Sequence, residues 1–90
     1  MPFWVFKPKR DDSFTSRLER ARNEGFRAGS REAKLFRLAV GKVLERQQAL
    51  DWLNSVIEDG RAELEAQHAW EREIEAWDMC CRIAFLVELT

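Results

Sequence analysis

The chain has 90 residues, 46% hydrophobic and 34% charged, with a formal net charge of −1. Four Gly, two Pro and two Cys exclude a collagen-like, disordered or disulfide-built chain and indicate one helix-rich soluble domain with a modest core. The near-neutral total conceals an asymmetry: residues 1–46 hold twelve Lys and Arg against six Asp and Glu, a balance of +6, whereas residues 47–90 hold three against ten, a balance of −7. Such a polarity can serve nucleic-acid binding by the basic half or imitation of nucleic acid by the acidic half, or it can be satisfied internally by packing basic on acidic helix.

The first twelve residues read as an extended arm. Pro2 and Pro8 disfavour helix in the residues before them, and Phe3, Trp4 and Phe6 need an apolar surface, either on this chain or on another. Lys7, Lys9 and Arg10 follow the apolar run instead of preceding it, which is the reverse of a secretory signal; with no run near twenty apolar residues, the expectation is a cytoplasmic protein without a membrane span.

Asp11, Asp12 and Ser13 offer N-caps for a short first helix over 13–29. Its apolar stripe, Phe14, Leu18, Ala21, Gly25 and Ala28, ends in small residues, which permits close approach of a neighbour. Gly29 followed by Ser30 reads as a stop and a new cap. The outer edge of this helix, continued into the next, aligns Arg17, Arg20, Arg27, Arg31 and Lys34; with Lys7, Lys9 and Arg10 these are the candidates for contacting nucleic acid, although Glu19, Glu24 and Glu32 interrupt the row.

The second predicted helix, over 30–59, has a broad apolar face of Leu35, Phe36, Ala39, Val40, Val43, Leu44, Leu50, Leu53 and Ile57. Leu38, Ala49, Trp52 and Val56 form another stripe on its opposite side. Gly60 reads as a turn into a third helix over 61–89, whose stripe of Ala66, Trp70, Ile74, Trp77, Cys81 and Phe85 is out of phase with a continuous coiled coil. The expected fold is therefore all-α: a small helical domain with a short first helix and a long antiparallel helical hairpin behind an aromatic arm. Met79, Ile83 and Leu86 point away from the Trp stripe, and the first helix and arm are the expected cover. Ala49, Trp52 and Val56 sit at the far end of the hairpin, where no segment clearly reaches.

Chemistry is sparsely represented. Glu65 and His68 have the Glu-x-x-His spacing of di-iron bundles, but one His per chain cannot complete such a site. Cys80 and Cys81 lie in the most apolar segment, where thiols are inert. The sequence thus predicts no catalytic residue, metal or cofactor, and a non-enzymatic module that binds another protein, or itself as a homo-oligomer, through Trp52, Val56, Ala49, Phe3, Trp4 and Phe6. Nucleic-acid binding is the alternative.

Overall fold

The computed structural model describes residues 14–41 and 45–90. Those residues form three helices, α1 (Phe14–Val40), α2 (Arg46–Ala66) and α3 (Glu71–Leu89), so the all-α expectation holds. The arm residues Phe3, Trp4, Phe6, Lys7, Lys9 and Arg10, the caps at 11–13, and Val43 and Leu44 lie outside the described residues.

The breaks fall elsewhere than the glycines suggested. Helix α1 runs without interruption through Gly25, Gly29 and Ser30 and ends at Gly41, whose φ of 73° suits a residue without Cβ and whose N–H reaches the Arg37 carbonyl at 3.0 Å. The predicted boundaries at 29/30 and at Gly60 are thereby corrected, and with them the hairpin of 30–59 on 61–89. Gly60 lies inside α2, under the Trp77 ring, where a Cβ would overlap the indole.

The real turn between α2 and α3 carries neither Gly nor Pro. Ala69 N–H bonds back to the Leu64 carbonyl and His68 N–H to the Glu65 carbonyl, both at 3.0 Å, the two bonds of a Schellman motif. His68 occupies its left-handed position with φ 60°. Across the turn, Trp70 N–H donates to Glu73 Oε1 at 2.8 Å, one half of a capping box that starts α3.

Contacts fix the topology. Arg17 meets Glu73, Gly25 lies against Trp77 and Cys80, Gly29 against Cys81 and Ala84, and Arg37 reaches the Glu88 carbonyl, so α1 and α3 run parallel. Helix α2 returns antiparallel to both: Arg61 pairs with Asp78, Arg82 with Asn54, and Trp52 with Glu32. The dominant interface joins the first helix to the last. A Cβ at Gly25 or Gly29 would collide with the Trp77 or Cys81 carbonyl, so the small-residue stripe of α1 is what lets the two backbones approach.

The core is continuous through all three helices. Ala21, Ala28, Ala33 and Phe36 from α1, Leu53, Ile57 and Leu64 from α2, and Ile74, Trp77, Cys81 and Phe85 from α3 are buried together. Phe36 sits between Trp52, edge-on at 5.4 Å, and Phe85, tilted at 6.0 Å. No helix among the described residues is long and apolar enough to cross a membrane.

Candidate interaction surface

Helix α3 divides into three sectors. Asp78 and Arg82 face α2, where Arg61 Nη1 and Arg82 Nε hold the Asp78 carboxylate at 2.9 and 2.6 Å. Glu73, Cys80, Ala84 and Glu88 face α1. At about 100° per residue, the remaining sector holds Arg72, Ala76, Met79, Ile83, Leu86 and Thr90.

Between the polar ends Arg72 and Thr90, Ala76 is half-buried against the core, and the large apolar side chains that follow it are not covered by the other described helices. Met79 is 64% exposed, Ile83 47%, Leu86 46% and the neighbouring Val87 65%. Phe26, 44% exposed, follows Gly25 and lies on the same side of the α1–α3 pair, away from the Glu32–Phe36 edge that meets Trp52. Five large apolar side chains thus border one face of a tightly packed helix pair. A periodicity of 79, 83 and 86 marks this stripe in the sequence; of its expected cover, the arm lies outside the described residues, and the first helix does not provide it, because glycine-mediated packing draws α1 to the Cys80/Ala84 flank and leaves the stripe outside it. Phe26 carries no such periodic signal.

The stripe that sequence reasoning left over is instead largely covered. Ala49 is 8% exposed and belongs to the core, while Trp52 and Val56 are half-buried against it. The Trp52 indole N–H donates to Glu32 Oε1 at 3.1 Å, so α1 satisfies both its polar and its apolar side. What stays open there is a shallow groove of about 290 Å³ lined by Glu32, Trp52, Ser55, Val56 and Asp59. Ala49 is corrected from surface anchor to core residue because α1, continuing to Val40, reaches this end of α2.

The basic row of α1 is divided as well. Arg17 is committed to the interior: Nη2 and Nε donate to Glu73 at 2.7 and 3.2 Å, and its guanidinium lies 3.6 Å over the Trp70 ring. Phe14 stacks on the same indole at 5.7 Å. Arg20 is half-buried, and Arg27 pairs with Glu24 at 3.3 Å. Arg27, Arg31 and Lys34 are exposed.

The groups able to do chemistry are dispersed. Among the described residues, no three His, Cys, Asp or Glu side chains converge to hold a metal ion. Glu65 and His68 are exposed at the α2–α3 turn. Burial pushes the Cys81 thiol up to about 12, helped by the negative charges of Asp78 and Glu32, and burial also raises Cys80, offset in part by Arg22. Both cysteines are free. No protein-family model matches the chain, and no curated protein or solved structure matches it significantly.

Proposed function

We propose that this protein is a non-enzymatic interaction module that binds protein through the outer stripe of α3, with Met79, Ile83, Leu86 and Val87 as anchors and Phe26 at the margin. The observation that carries the reading is their joint exposure on one face of a scaffold whose interior is otherwise close-packed. A monomeric surface rarely keeps a contiguous apolar stripe of this kind without a use for it. The stripe has helical spacing, so an amphipathic helix of the partner fits it best.

The test is a paired capture. The intact protein and its Ile83→Glu variant are used as baits under the same conditions, with Lys34→Glu as a surface control. Ligands retained by wild type and by the control, but lost with Ile83→Glu, support the reading; identical profiles for all three baits overturn it.

A second reading, nucleic-acid binding, rests on the exposed basic side chains of Arg27, Arg31 and Lys34, beside the half-buried Arg20. It predicts that the protein retards a DNA or RNA fragment at low salt and that the affinity falls steeply as salt rises. An absence of retardation at low salt removes it.

A further inference from the structure

Resting on the interaction-module reading, we propose that the occupant of the α3 stripe is a second copy of this chain, its α3 laid antiparallel across the first. Three observations carry this. The first is spacing: Arg72, Ala76, Met79, Ile83, Leu86 and Thr90 recur at intervals of 4, 3, 4, 3 and 4, the seam of a coiled coil, on a helix that has already used its other two sectors on α1 and α2. Centred between Met79 and Ile83, an antiparallel pair sets Met79 against the partner's Ile83 and Ala76 against the partner's Leu86, so that apolar groups oppose apolar groups in every central layer.

The second is area. At their exposures, the five large side chains present on the order of 500 Å² of largely apolar surface, at the upper end of the largest patch found on single chains. Complete burial on both copies removes at most about 1,000 Å², the lower bound of a specific interface, so the dimer is expected to be one that dissociates on dilution.

The third is charge. The negative end of the α3 dipole draws cations: its last turn has no basic residue of its own, and Arg37 of α1 donates to the Glu88 carbonyl there at 2.8 Å. In the antiparallel pair, the exposed Arg72 of each copy arrives at that end of the other. The Arg82 flank brings little repulsion because Asp78 holds its guanidinium at 2.6 Å, and a net charge of −1 places no long-range barrier between copies.

The test is sedimentation velocity of the purified intact protein over a dilution series, with circular dichroism as the check on folding. Wild type should sediment as a dimer that dissociates on dilution, and Ile83→Glu should raise the dissociation constant at least tenfold with unchanged helicity. Met79→Glu, at a position largely open to solvent, is the second variant and should act the same way. Arg72→Glu should weaken the dimer severalfold; a parallel pair sets Arg72 beside the partner's Arg72, so no effect of this reversal overturns the antiparallel arrangement. A wild type that stays monomeric at every concentration, or a dimer indifferent to both Ile83→Glu and Met79→Glu, overturns the second copy. A monomer that still captures ligands through Ile83 would do so while leaving the module reading in place.

Discussion

Arg17 and Glu73 clasp the leading ends of α1 and α3 across 56 positions of sequence, through two hydrogen bonds of 2.7 and 3.2 Å to a carboxylate with no solvent exposure. The same carboxylate accepts the Trp70 N–H, so its acceptor capacity serves helix pairing and helix initiation together. Removing only the cation strands a buried charge. Arg17→Ala should therefore cost about 3 kcal/mol or more by denaturant unfolding, whereas the double variant Arg17→Met, Glu73→Gln, which removes the charge but keeps an oxygen for the Trp70 N–H, should recover much of that loss. A double variant as unstable as the single one would show that the pair itself is net stabilising.

Gly29 should resist the substitution that helix propensity favours. Alanine gains about 1 kcal/mol in an exposed helix interior, but here its methyl would meet the Cys81 carbonyl and Ala84. Forcing α1 away from α3 outweighs the gain, and Gly29→Ala should destabilise by about 2–3 kcal/mol net. Equilibrium unfolding checks it; a variant more stable than wild type would mean that the two helices slide apart freely.

At His68 the direction reverses. A side chain held at φ 60° is strained, and glycine at the same Schellman position is not. His68→Gly should stabilise by about 0.5–1 kcal/mol, after the larger backbone entropy of glycine in the unfolded chain is subtracted. A rise in thermal midpoint of several degrees is the expected measurement.

The Cys81 thiol gives the protein an alkaline limit. Its pKa is raised from 9.0 to about 12 by burial and by Asp78 and Glu32, so the folded state keeps a proton that the unfolded chain gives up. Its contribution is fully present below pH 9 and is lost as pH rises toward about 12, with a slope of about 1.4 kcal/mol per pH unit in that window. Cys81→Ala, compared with wild type at pH 8 and pH 10.5, should be less sensitive to the change. Equal sensitivity would remove this thiol as the cause.

The sequence announces the packing faces more clearly than the turns. Ala21, Gly25 and Ala28 on α1 and Ile74, Trp77, Cys81 and Phe85 on α3 are buried as their periodicity implies, because a 3.6-residue repeat is local information, whereas Phe14, Leu35, Ala39, Ala66 and Trp70, read into the same apolar faces, are exposed. Gly29–Ser30 and Gly60 mislead because glycine has two uses. It ends helices, and it also lets two elements touch, and only the tertiary partner reveals which applies. The true second turn is silent because His68 accepts a conformation usually given to glycine. The exposed stripe of α3 is visible as a pattern, yet its exposure depends on how far α1 is drawn toward Cys80 and Ala84, which no single helix encodes.

Parallel pairing of α1 with α3 also dictates an order of events. The glycine face of α1 finds its mate in residues 77–85, roughly fifty positions later in the chain, and α2 contributes few close backbone approaches to α1 in the interval. Loop-closure entropy must be overcome before that contact forms, which makes folding slower than in bundles built from sequential neighbours. During synthesis, α1 emerges before both other helices and waits with Ala21, Gly25, Ala28 and Gly29 unmatched until α3 has followed. The nascent chain thus meets the cell with its innermost surface still open.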